Sequence, residues 1–168
     1  MLNSLVRVVD DEADVRDSVC LFLQMADMEV AAYASAAEFL AKDDFERPGC
    51  VILDVRMPGM TGIELQRELD VRGIDLPIIF LSAHGDIEMA VKAVQNGAVD
   101  FLVKPPEPGK LLEIVRKTVL DHQRKRKADE ERAQLLAQYE TLTPTERQIL
   151  FLIAKGFSNA TIGEVQIS

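Results

Sequence analysis

Val51-Ile52-Leu53-Asp54 is a short, unbroken apolar run that ends on an acid, with the turn residues Pro58-Gly59 and Gly62 soon after it. A strand covered by helices on both faces has no polar face, so it reads as continuous rather than alternating. The run is therefore expected to be a central strand of a parallel sheet. Working outward, Leu5 to Val9 reads as a strand, Met28 to Tyr33 as a weaker one, Pro77 to Leu81 as another buried one, and Val99 to Val103 as a fifth. Helical patterns fall between them. Val15, Val19, Phe22 and Leu23 lie at i, i+4, i+7 and i+8, the spacing of one helix face. Ala36 to Leu40 predicts a short helix, Leu65 and Leu69 mark another, and Asp86 to Gln95 a fourth with Gly97 as its stop. Five strands alternating with helices predict an α/β fold with a five-stranded, doubly wound parallel sheet.

In such sheets functional groups collect beyond the carboxyl ends of the strands. Asp10 and Asp11 follow the first predicted strand, Asp54 ends the third, Ser82 follows the fourth and Lys104 the fifth. Each alone has an ordinary explanation: an Asp pair caps helices, a strand-end Asp makes turns, and Lys-Pro is an exit turn. Their joint arrival at one end of the sheet is what points to chemistry. Three gathered carboxylates repel one another unless a cation intervenes, and oxygen-only ligands suit magnesium better than zinc. Asp54 is then placed as a nucleophile toward phosphorus, Lys104 as a fixed positive charge against phosphoryl oxygens, and Ser82 as a hydroxyl donor to another of them.

From Gly109 the pattern changes. Leu111, Leu112, Val115, Val119 and Leu120 form a helix face, and helix formers continue to about Glu140 without Gly or Pro. A heptad seam can be drawn through Leu112, Val115, Val119, His122, Arg126, Asp129, Ala133 and Leu136, but its centre is polar, so a long linker helix is expected rather than a continuous coiled coil. Arg124-Lys125-Arg126-Lys127 precedes Asp129-Glu130-Glu131 and reads as a solvated face. Thr143-Pro144-Thr145-Glu146 is a capping box that opens a further helix ending near Gly156, and Ser158 can cap another.

The bulk numbers agree with a two-part chain. Of the 168 residues 48% are hydrophobic, enough for a core, and the net charge is −9. Residues 1–108 carry 20 acidic against 9 basic side chains, whereas residues 109–168 carry 8 against 10. An acidic first part is a poor nucleic-acid ligand and a good cation ligand. Cys20 and Cys50 lack CxxC spacing and read as reduced core residues. With no leader-like N-terminus and no apolar run of membrane-spanning length, a cytoplasmic location and no membrane partner are expected.

The residues Val8-Val9-Asp10-Asp11-Glu12, Leu53 to Gly62, Leu81 to Asp86 and Gly97 to Pro105 resemble the receiver domain of two-component response regulators, nearest the FixJ-type subgroup. The tail from Leu142 resembles the start of a LuxR/GerE-type helix-turn-helix output domain. The resemblance implies a flavodoxin-like receiver over residues 1–120, a helical linker over 121–140, and the opening of the DNA-binding domain over 141–168. It implies that the chain is not an enzyme but accepts a phosphoryl group on Asp54 from a sensor histidine kinase. Asp11 and Asp54 would hold Mg2+ with the backbone carbonyl of Arg56, and Asp10 would act through bound water. Lys104, preceding a cis Pro105, would pair with the phosphoryl group, and Ser82 and Phe101 would be the switch residues. A homodimer would form through the fourth helix, fifth strand and fifth helix, with the linker helix as a further candidate.

Departures from the pattern carry expectations too. Pro106 stands where the subgroup has an aromatic, and His84 matches a loop residue of that subgroup, so a structural or solvent role is expected for it. The chain stops at Ser168, ahead of the recognition helix, so specific promoter binding is expected only of a complete output domain. A phosphorylation-dependent dimerisation or relay protein without DNA binding is the alternative. An aspartyl-phosphate hydrolase would carry a second acid two residues after the nucleophile, where this chain has Arg56.

Overall fold

A computed structural model describes residues 3–83 and 86–156. The elements alternate as β1 (Leu5–Val9), α1 (Ala13–Met25), β2 (Val30–Tyr33), α2 (Ala36–Lys42), β3 (Gly49–Asp54), α3 (Gly62–Val71), β4 (Ile78–Ser82), α4 (Ile87–Gln95) and β5 (Asp100–Val103). Two helices follow, α5 (Pro108–Thr141) and α6 (Pro144–Ala154). The five strands form one parallel sheet in the order β2-β1-β3-β4-β5, which is the expected doubly wound architecture.

The apolar pattern explains both layers of the core. One side buries Phe39 of α2, Leu65 and Leu69 of α3 and Ala93 of α4 against Val51, Leu53 and Phe80. The other buries Val19 and Leu23 of α1 and Leu111, Val115 and Val119 of α5 against Val8, Ile52 and Ile79. All six residues of β3 are buried, as its unbroken run requires. Each large side chain so enclosed contributes about 1.5–3 kcal/mol of transfer free energy.

Boundaries differ from the expected ones where backbone chemistry intervenes. β2 begins at Val30 rather than Met28 because Asp27, with φ 62°, and Met28 still belong to the turn leaving α1, where the Met28 N–H donates to the Leu23 carbonyl. β3 begins earlier, at Gly49, because Gly49 and Cys50 pair with Leu5 and Val6. A Cβ on Gly49 would lie 1.9 Å from the Leu5 carbonyl oxygen, so only glycine permits this approach. β4 starts after Pro77, which has no N–H to donate but whose carbonyl accepts from Val51 at 2.9 Å.

The chain divides into two units, Met1–Arg126 and Lys127–Ser168. The first therefore continues past residue 120. Val115, Val119 and His122, three positions of the heptad seam, are buried in that unit and are not available to a partner helix. In the second unit the Thr143–Glu146 capping box is formed reciprocally at 3.1 and 3.2 Å, and Arg147 donates to the Tyr139 and Glu140 carbonyls. The helix expected after Ser158 and the His84 position lie outside the described residues.

Candidate functional site at the carboxyl end of the sheet

Parallel pairing brings the strand ends together. Register matches Asp54 with Leu81 and Ser82 with Val103, so the exits of β3, β4 and β5 are neighbours. The Lys104 N–H donates to the Ser82 carbonyl at 2.9 Å, and the Lys104–Pro105 bond is cis as expected. Gly62 serves the same end. Its N–H donates to the Val55 carbonyl, and a Cβ there would lie 2.1 Å from the Asp54 carbonyl oxygen. The start of α3 thus lies against the backbone that carries Asp54.

Lys104 is the hub. Its Nζ lies 3.0 Å from Asp10 Oδ2, 3.1 Å from Glu12 Oε1 and 3.3 Å from Asp54 Oδ2. Asp10 is fully buried and Asp54 is 4% exposed. Asp10 Oδ1 accepts from the Glu12 N–H at 2.9 Å, and Asp54 Oδ1 accepts from the Arg56 N–H at 3.3 Å. Burial, the neighbouring Asp10 charge and a hydrogen bond with Asp11 push the Asp54 carboxyl up to about 7, against the pull of Lys104. Burial also opposes the charge on Lys104, but its contacts with Asp10, Asp54 and Glu12 outweigh that and hold its pKa above the ordinary lysine value.

Charge balance shows what the site lacks. Asp10, Glu12 and Asp54 can place one carboxylate oxygen each within 4.8 Å of one another, while among the described residues Lys104 is the cation paired with them. Asp10 Oδ2 is buried and, although close to Lys104, has no aligned hydrogen bond among the described residues. All the donors are oxygens. A hard divalent cation fits this set, because it would neutralise the surplus charge and use the free lone pairs. The buried Ser82 hydroxyl, also without a hydrogen-bond partner among the described residues, lies at the neighbouring strand end. An incoming group with acceptor oxygens would satisfy it.

Of the expected residues, Asp10, Asp54 and Lys104 are in direct contact, Ser82 adjoins them through the register, and Asp11 is exposed beside Asp54. Phe101 is half-buried against the α2–α4 side of the core and pairs in register with Phe80. The Arg56 side chain points to Asp86 at the start of α4, forming an ion pair there. Glu12 and Asp86 join the site, although nothing in their sequence pattern marks either as a site residue. Glu12 occupies the N-cap position of α1 but makes no side-chain cap bond, and its carboxylate serves Lys104 instead.

Comparison with known proteins agrees with this fold. The family model described as response regulator receiver domain matches residues 6–116. Nodulation protein W of Bradyrhizobium diazoefficiens is 38% identical over 95% of this chain and 70% of its own length. The transcriptional regulatory protein TdiR of Thauera aromatica is 41% identical over 96% of this chain and 71% of its own. Among solved structures, the response regulator StyR superposes with a TM-score of 0.85 at 40% identity, over 99% of this chain and 84% of that one. Full-length FixJ from B. japonicum gives 0.71 at 33% identity, over 100% and 83%.

Proposed function

Because the chain belongs to the response regulator receiver domain family, we propose that Asp54 accepts a phosphoryl group from a sensor histidine kinase in a Mg2+-dependent reaction, and that this switches dimerisation and transcriptional control. The observation that carries the reading is the contact of Lys104 with both Asp10 and Asp54 at 3.0 and 3.3 Å, at the end of a buried strand. An Asp54 carboxylate oxygen forms the new O–P bond as the P–N bond to the kinase histidine breaks, and the imidazole leaves with the electron pair. Asp10, Asp11, Asp54 and the backbone carbonyl of Arg56 are the residues that would hold Mg2+, with Glu12 within reach of the same place. When bound, the ion supplies positive charge to the transferring phosphoryl oxygens.

The chain's own groups do the rest. Lys104 exchanges its carboxylate contacts for the phosphoryl oxygens, and Ser82 donates its free hydroxyl to another. Movement of Ser82 inward makes room for Phe101 on the neighbouring strand, and the α4–β5–α5 face changes with it. That face exposes Ile87, Val91 and Val99, which suits a homodimer contact. Residues 127–140, rather than 121–140, act as a helical linker beyond the first unit, with Leu135, Leu136 and Tyr139 exposed along it as a further dimer surface. Residues 141–168 are the start of a helix-turn-helix output domain, supported by the formed capping box, and promoter DNA is a partner of the complete domain. The test is labelling by a small phosphodonor such as phosphoramidate. Asp54→Asn and Asp54→Ala are expected to abolish it, and undiminished labelling overturns the assignment.

A further inference from the structure

The amino end of the same sheet holds a second cluster of charged side chains, which the proposed phosphotransfer does not use. His122 on α5 is 4% exposed. Its Nδ1 accepts the Gly49 N–H at 3.0 Å, and its Nε2 lies 3.2 Å from Asp75 Oδ2. A nitrogen that accepts an N–H carries no proton, so the ring is neutral, with its proton on Nε2 facing Asp75. One turn further, Arg126 reaches Asp75 Oδ1 at 2.9 Å and donates to the Phe45 and Glu46 carbonyls. His122 and Arg126 together fasten the last turn of α5 before the second unit begins at Lys127.

From this geometry we infer that His122 is a pH-sensitive latch: its neutral form pins the last receiver turn of α5 to the base of the sheet, and its protonation releases residues 122–126. Protonation would put an N–H on Nδ1, directly facing the Gly49 N–H, so two donors would oppose each other and a buried bond would be lost. Gly49 cannot turn away, because its backbone is clamped against Leu5. The other charged groups also bear on the outcome. Lys125 and Arg126 repel the added charge, and Asp75, the attracting carboxylate, is already shared with both. The adjoining cleft of about 740 Å3 is lined by Asp70, Asp100, Asp121 and Lys117, and it gives water a route to the ring.

The direction is consistent with the burial. Burial pushes the His122 pKa below its ordinary value, with Asp75 pulling the other way and Arg126 and Lys125 adding to the depression. A depressed imidazole contributes stability that is present above the unfolded value of about 6.5 and is lost as pH falls through the folded one.

The test is an NMR titration of the 168-residue chain from pH 8 to pH 5, following the His122 ring and backbone amides. The expected result is that the Gly49 amide moves and residues 122–126 lose exchange protection at the midpoint of the His122 ring, below 6.5, while the amides of residues 50–54 of β3 and those of β4 stay protected. In His122→Gln, whose side-chain oxygen can still accept from Gly49, this transition should disappear. Unmoved Gly49 and 122–126 amides across the ring's titration, or the same transition in His122→Gln, overturn the inference. Should His122→Gln fail to fold, Asp75→Asn decides: losing the attracting carboxylate should lower the transition midpoint, and an unchanged or raised midpoint overturns the latch.

Discussion

The two ends of the sheet use the same kinds of side chain to opposite purposes. At the carboxyl end three carboxylates face one lysine, a buried hydroxyl has no partner among the described residues, and the Asp54 pKa is pushed up to about 7. At the amino end one carboxylate, Asp75, is shared among His122, Lys125 and Arg126. Burial would raise Asp75, but Arg126 and His122 hold it below the usual aspartate value. A carboxylate with its donors already in place stabilises a joint. Unmatched charges store an appetite for a cation and an anion. Receiver architecture keeps the two apart by the length of the strands, so a change at one end need not loosen the other.

The comparison can be broken most severely at the carboxyl end. Beyond the complete loss of labelling expected for Asp54 variants, Lys104→Gln removes the fixed positive charge, and phosphodonor labelling should fall by about 100-fold, the scale of losing one preorganised donor. A rate within a factor of a few of the parent would show that Lys104 is only a structural counter-ion. Gly62→Ala should follow, because a Cβ 2.1 Å from the Asp54 carbonyl oxygen forces the backbone apart. A loss of about 3 kcal/mol in denaturant unfolding is expected, and a neutral effect would mean that the approach of α3 is soft.

Smaller effects test the balance itself. Asp75→Asn leaves His122 and Arg126 without their carboxylate and should cost about 1–2 kcal/mol, measured by urea unfolding at pH 8, with labelling retained. Loss of labelling there would refute the independence of the two ends. Asp54→Asn should act in the opposite sense on stability. The folded Asp54 pKa lies above its unfolded value, so its contribution is full below about 4 and is lost as pH rises through about 7. In metal-free buffer at pH 8 the Asn variant should therefore be more stable by about 1–2 kcal/mol after allowance for solvent screening. Equal melting temperatures at pH 8 would mean that Lys104 already balances the charge.

Much of the carboxyl end is legible in the sequence. Asp10, Asp54, Ser82 and Lys104 each end an apolar run, and in a parallel sheet every such end lies on the same side. Side-chain partners across elements were not legible. Glu12 read as part of an acidic motif, and only the return of the chain at β5 shows that Lys104 reaches it. The sequence around Arg56 points to its carbonyl and to the acid it replaces, while its guanidinium pairs with Asp86, 30 residues on. His122 reads as a polar seam position, although Val115 and Val119 share its helix face. That periodicity was a signal that its ring faces the core, and the packing of α5 on the sheet confirms it.

Arg7 marks the same boundary. The alternation of apolar runs and amphipathic stretches determined the order of strands and helices, the parallel sheet, and the end of it on which chemistry gathers, because these depend on local periodicity and on the handedness of crossovers. That an arginine in the middle of β1 is fully buried, held by Asp43 and by the Leu5 and Arg47 carbonyls, was decided only when β1 took its place between β2 and β3. The linkage of His122 to Gly49 was decided in the same way. A charge or an imidazole can be buried only where distant backbone and side chains converge to replace its water, and that convergence belongs to the tertiary structure.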